Sequence, residues 1–479
     1  MSAGTQYRPL MIVNWSAAEL SAAIHRREVT CVEVMTAYLD HIDQVNPAVN
    51  AIVALRPRAE LLAEAAAADA IAPKGWMHGF PFAVKDLADA RGLPTSAGFF
   101  HDAPAATADS IFVERIRAAG AIFIGKTNVP EFGLGSHTYN NVFGTTLNAY
   151  DQSRSAGGSS GGAAVAVALR MVPVADGSDF MGSLRNPPGW NNVLGLRPSA
   201  GRVPSGGDEV FLAQAGVEGP IARTAEDLAM LLRTMSGYDP RAPLSLRDDP
   251  AALTGLSGDL SGRRIAWLGD LGGYLPMAPE VLRVTGAAVH DLGLPVTTLS
   301  NLPGFDLADL WPTWLTLRHW MSGFGSRLLL DEPAFRDKLK PEMVYEADGA
   351  AHLSGHEVLA ASVKRSALYQ SFRELFATYD YVVLPTAQVF PFDATLHWPD
   401  HIGDVTMTSY HRWMEVSTFA TLINAPALAM PAGFSTDGLP IGLQVIGRNH
   451  DDRSLLELAL AAERRADWVQ RVPPPLISS

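Results

Sequence analysis

A serine hydroxyl performs acyl transfer when a base takes its proton and backbone N–H groups face the carbonyl oxygen under attack. The stretch RSAGGSSGGAAVAVALRMVPVADGSDFMGSLRNP, from Arg154 to Pro187, offers serines in such surroundings. Ser159 and Ser160 lie within a run of glycines, and Ser183 follows Gly182. A Gly/Ser-rich segment can be a flexible linker. This one leads straight into AAVAVAL, the composition of a buried element. Phe180, Met181, Gly182 and Ser183 are candidates to present backbone N–H groups as an oxyanion hole. The stretch contains no histidine to act as base. Lys85, closing the apolar run of PFAVKD, is the candidate, because burial disfavours an ammonium and leaves part of it neutral near pH 7. The competing role for Lys85 is an ion pair with Asp86.

Other motifs carry less. Gly120 to Thr127 fits the P-loop pattern, but its inner residues Ala-Ile-Phe-Ile read as a buried strand, and a phosphate loop needs free N–H groups. Gly157 to Gly161 fits the G-x-S-x-G elbow of α/β-hydrolases, yet that elbow needs an apolar strand before it, and NAYDQSRSA is polar. No H-E-x-x-H or similar spacing occurs among the histidines, so no metal site is expected. Trp311 and Trp314 fit either a core or an apolar substrate pocket.

The elements that must position these residues alternate. Ser16 to Glu19 and Thr30 to Glu33 are capping boxes that start helices, and ELLAEAAAADAI is a further helix former. PFAVKD, Ala121 to Ile124, GRRIAWLGDLGG and YDYVVLPTA read as strands. This alternation predicts an α/β fold. Residues 239–260 read as a polar surface connection and VPPPLISS as an extended end.

Composition narrows the function classes. A net charge of −13 argues against a nucleic-acid partner held by basic patches. With Cys31 the sole cysteine, no disulfide within the chain is possible, which fits a reducing, cytoplasmic setting. The N-terminus lacks the pattern of a secretory leader, and no apolar run is long enough to span a membrane.

Taken together, GGSSGGAAVAVALRMVPVADGSDFMGSLRNP, PFAVKD, GLRPSAGRVP and NAPALAMPAGFSTDGLPIGLQVIGR resemble the amidase signature family of serine hydrolases, over about residues 15 to 465. The resemblance implies a central twisted mixed β-sheet covered by helices, in one domain spanning residues 1–479. Its signature core lies at about 75–235 and a C-terminal strand pair at about 424–448. It implies a triad of Lys85, Ser159 and Ser183. Ser183 is the nucleophile, and Ser159 a bridging serine held by a cis peptide after Gly158. Ser160, Asp179 and Arg185 would support the site. No cofactor is implied. The expected substrate is a small amide, carbamate or aryl ester, cleaved by a monomer or homodimer. The apolar segments 301–320 and HWPDHIG favour an aryl group.

Two departures from the family pattern stand out. Met181 replaces the first of the two glycines usual before the nucleophile. The acidic residue with which the family's tRNA amidotransferase subunit holds glutamine falls near Met414, with Glu415 adjacent. The alternatives are therefore an esterase of α/β-hydrolase type and an amidotransferase-like subunit.

Overall fold

The computed structural model describes residues 12–207, 209–212, 215–466 and 471–478. Residues 1–11, on which the expected absence of a leader rests, lie outside them. Both capping boxes form. Ser16 Oγ accepts the Glu19 N–H at 3.1 Å, and Glu19 returns a carboxylate oxygen to the Ser16 N–H at 2.8 Å, opening helix Ala17–His25. Thr30 and Glu33 do the same for helix Cys31–Val45. The alanine-rich segment is helical over Arg58–Asp69.

Two sheets carry the site. In the smaller, strand Pro81–Lys85 runs parallel to Ile122–Thr127, which pairs antiparallel with Ile52–Val53. Every residue of Pro81–Lys85 is buried, which explains its unbroken apolar run. The P-loop pattern is resolved here. Gly125 and Lys126 lie inside the strand, and a Cβ on Gly125 would meet the Ala54 carbonyl oxygen at 2.9 Å. That glycine serves close backbone approach, not a phosphate.

The larger sheet has eight strands. From one edge they are Val296–Thr298, Ile265–Trp267, Tyr381–Pro385, Pro440–Ile446, Ala427–Phe434, Leu194–Arg197, Val217–Ala222 and Ala175–Asp179. The first three are mutually parallel and the remaining pairings antiparallel, so the sheet is mixed. The expected C-terminal pair is present as Ala427–Phe434 against Pro440–Ile446. The edge strand Ala175–Asp179 meets the small sheet through Asp176, whose carboxylate accepts the Lys85 backbone N–H at 3.1 Å.

Helix Gly161–Ala168 lies between them. It is buried on every side, as expected of eight small apolar or glycine residues with no polar face. A Cβ on Gly162 would fall 2.3 Å from Asn128 N, so this helix packs backbone to backbone against the end of strand Ile122–Thr127. Residues 239–260 form the expected connection around a short 3-10 turn at Pro250–Leu253. The tail is not simply extended, because Pro475–Ile477 makes another such turn. No helix of the described residues is long and apolar enough to cross a membrane.

Candidate active site

Lys85 ends its strand with a side chain only 1% exposed. Its Nζ lies 2.9 Å from Ser159 Oγ, 2.9 Å from Ser160 Oγ and 2.8 Å from Ser178 Oγ. A neutral amine offers two donors and one lone pair, whereas an ammonium offers three donors. Ser160 directs its own hydrogen to the Ser178 carbonyl at 3.3 Å. As an ammonium Nζ donates to all three hydroxyls; when it is neutral, Ser160 still accepts, and Ser159 or Ser178 is the hydroxyl that can donate to the lone pair. Burial lowers the Lys85 pKa below its ordinary 10.5, against the opposing pull of Glu218, Asp176 and Asp179. Burial in turn raises Asp176 to about 6.

The alternative ion pair is not formed. Asp86 turns to Ser96, accepting its N–H at 3.1 Å and its hydroxyl, with Lys126 Nζ at 3.7 Å.

Ser159 follows a polar turn and not a strand, which removes the α/β-hydrolase elbow. The Gly158–Ser159 peptide is cis. A Cβ on Gly158 would come within 2.9 Å of His137 N.

Ser183 sits beyond the edge strand in a tight turn. Gly182 has φ +96°, and a Cβ there would lie 2.9 Å from Ser417 Cβ, so glycine is required at this position. Asp179 holds the turn. Its buried carboxylate accepts from Gly182 N at 2.9 Å, Leu184 N at 3.0 Å, Arg185 Nη2 at 2.8 Å and Arg197 Nη1 at 3.2 Å. Burial alone would raise its pKa; Arg185 and Arg197 outweigh that and hold it well below the usual carboxylate range. Arg185 Nη1 continues to the Ser417 carbonyl at 2.7 Å and Gln444 Oε1 at 2.8 Å. Asp179 and Arg185 are thus the buried frame of the Ser183 turn.

This frame corrects one expectation. The Gly182 N–H is committed to Asp179, so it is not available to an oxyanion. The N–H groups of Phe180, Met181 and Ser183 have no hydrogen-bond partner among the described residues.

A cavity of about 240 Å³ opens on Ser183, with Phe180 and Met181 on one wall and Phe132, Leu134 and Met414 on others. The expected tryptophans are not among its lining residues. Trp314 is fully buried behind Phe180, with ring centroids 5.7 Å apart, and Trp311 packs on His411 at 5.1 Å. Their helical spacing serves the core. Met414 lines the cavity, while Glu415 turns away to the Tyr274 hydroxyl at 2.7 Å and to Arg412.

Ser178 was missed in the sequence. A signal existed, because ADGSD is a strand of small and polar residues in the interior, and buried polar groups need a purpose. Met181 has two roles. It is 3% exposed within the apolar cluster around Trp190 and Trp413, and it also lines the cavity. Met181→Ala is expected to lower stability by about 2–5 kcal/mol. It should also raise kcat/KM for branched acyl groups relative to acetyl. Thermal melts and an acyl-size series check both effects.

Comparison with known proteins identifies the family. The family model "Amidase" matches residues 33–456. The chain is 33% identical to an acylamidase of Rhodococcus erythropolis, over 96% of this chain and 98% of the relative. It is 32% identical to a glutamyl-tRNA(Gln) amidotransferase subunit of Methylococcus capsulatus, over 95% and 98% of the two chains. A solved bacterial aryl acylamidase of the amidase signature enzymes superposes with a TM-score of 0.87 at 27% identity, covering 95% of this chain and 97% of that one. A 6-aminohexanoate cyclic dimer hydrolase follows with a TM-score of 0.85 at 25% identity, covering 97% and 100%. With a lysine among serine hydroxyls, a glycine-bound turn at Ser183 and these matches over nearly its whole length, the chain belongs to the amidase signature family.

Proposed function

We propose that this chain, as one amidase domain, hydrolyses small carboxylic amides through an acyl-enzyme on Ser183. The observation that carries the reading is Lys85 Nζ within 2.9 Å of three serine hydroxyls in a buried site beside the Ser183 turn. Ser183 Oγ attacks the amide carbon while its proton passes through Ser159 to Lys85. The N–H groups of Phe180, Met181 and Ser183 hold the oxyanion. Lys85 returns the proton through Ser159 to the amide nitrogen, the C–N bond breaks, and the amine leaves. Water then attacks the acyl ester by the same relay, releasing the carboxylic acid and restoring Ser183. The chemistry uses no cofactor.

Anilides are the preferred substrate class, with carbamates and aryl esters as further acyl donors. The apolar walls of Phe132, Leu134 and Phe180 support this. So does the likeness to an acylamidase and to a solved aryl acylamidase. The second reading is an amidotransferase subunit, favoured by the 32% identity to such subunits. Against it, Met414 faces the cavity and Glu415 is spent on Tyr274 and Arg412, so no carboxylate lines it among the described residues to hold a glutamine ammonium.

The test is the purified chain alone, offered a panel of anilides, primary amides, carbamates and aryl esters. Turnover of anilides without partner protein or nucleotide is expected. Activity confined to glutamine, or appearing only with a partner subunit, would replace this reading with the second.

A further inference from the structure

Arg318 is an unusual wall for a cavity this apolar. It lies on helix Leu310–Asp331 and is 3% exposed, yet it lines the space that opens on Ser183. Its Nε donates to Glu346 Oε1 at 2.6 Å and its Nη2 to the Tyr410 hydroxyl at 2.5 Å. Nη1 makes no hydrogen bond to the described residues, while the guanidinium as a whole packs over the rings of Phe180, Trp314 and Tyr410. Ser322, one turn further along the same helix face, lines the cavity too. So does His411, 1% exposed, whose Nδ1 meets Ser409 Oγ at 3.1 Å and whose Nε2 has no partner among the described residues. Burial, reinforced by Arg318, keeps the His411 ring neutral. A buried ring nitrogen without a partner, as His411 Nε2 is, costs free energy unless a ligand meets it.

Position and charge identify that ligand. The leaving nitrogen must face Ser159 to receive its proton, and Ser159 lies behind Gly133, where a Cβ would meet its Oγ at 3.5 Å. The leaving group therefore belongs at the Gly133 side, and the acyl half is left to face Arg318, Ser322 and His411. Glu346 already neutralises Arg318 at hydrogen-bond distance, so a substrate carboxylate would be a second buried anion on one guanidinium.

Resting on the hydrolase reading above, we propose that Arg318 Nη1 and His411 Nε2 form an acyl-recognition subsite. It selects amides whose acyl chain carries a neutral hydrogen-bond acceptor, such as a second carbonyl. In the tautomer in which Ser409 donates to Nδ1, the His411 proton sits on Nε2 and both groups donate to the acceptor.

Matched anilides test this. Acetoacetanilide is compared with butyranilide, levulinanilide with valeranilide, and succinanilic acid supplies the carboxylate. In the wild-type chain, kcat/KM for at least one keto anilide should exceed its alkyl partner by about 10- to 100-fold, the scale of a hydrogen bond to a charged donor. Arg318→Met combined with Glu346→Gln removes both charges together and so strands neither. In that variant the keto-to-alkyl ratio should fall toward unity. Arg318→Lys, which retains the charge facing Glu346 but not the planar fork, should lower it as well. A ratio of kcat/KM values is independent of how much of a variant is folded. Equal turnover of the wild-type pairs, an undiminished ratio in the variants, or succinanilic acid as the best substrate would each overturn the subsite. A wild-type chain inert to every anilide fails at the hydrolase reading instead, so the two failures are distinguishable.

Discussion

Ser183→Ala is expected to remove amide hydrolysis while the fold stays in place. Loss of a nucleophile that acts as a unit with its base costs more than about 10⁴-fold in kcat. The folding cost should be small, within about 0.5 kcal/mol, because the Ser183 side chain makes no hydrogen bond to the described residues. Its turn is held by other atoms, through Asp179, Arg185 and the close approach of Gly182 to Ser417. Kinetics on an anilide together with a thermal melt check both halves. A fluorophosphonate supplies the independent measurement, since it should label Ser183 alone and the label should be absent from the variant. The competing serines have different surroundings: Ser159 and Ser160 each hold Lys85 Nζ at 2.9 Å, and neither lines the cavity. A label found on Ser159 or Ser160 would move the nucleophile and with it the whole assignment.

What could be read in the sequence was what is local. A capping box needs only residues three apart, and both formed at Ser16 and Thr30. The buried strand Pro81–Lys85 was visible because a strand covered on both faces is continuously apolar. The glycines around Ser159 and Ser183 were visible because backbone crowding tolerates nothing else. Long-range partners were hidden. Asp86 follows Lys85 in the chain, yet strand alternation sends it to the opposite side, where it meets Ser96 and Lys126. The Gly182 N–H looked free beside the nucleophile, and nothing local told that Asp179 folds back onto it. Trp314 and Arg318 lie one turn apart on the same helix, but only packing decides that the ring goes behind Phe180 and the guanidinium to the cavity. Aromatic content alone pointed to the wrong residue of that pair.

Lys85 carries the remaining large effect. As a base it must be neutral in the free enzyme, so kcat/KM for an amide should rise with pH as its ammonium deprotonates. Burial lowers that pKa from 10.5, and the Glu218, Asp176 and Asp179 carboxylates limit the fall, so the rising limb belongs below the ordinary lysine range. Lys85→Ala should erase this limb and impair substrates unequally. An amide nitrogen needs a proton to depart, whereas a phenolate leaves without one. The loss on an anilide should therefore exceed the loss on the matched phenyl ester by about 10²- to 10⁴-fold. A purely structural lysine makes another prediction. Removing it from among Ser159, Ser160, Ser178 and the nearby carboxylates would unsettle the fold, and both substrates would suffer alike. Lys85→Met separates the cases further, because it retains most of the buried stem while losing the lone pair. It should melt nearer the wild type than Lys85→Ala and still show the unequal loss. Equal losses on anilide and ester in both variants, or a pH limb that survives them, would reject Lys85 as the base.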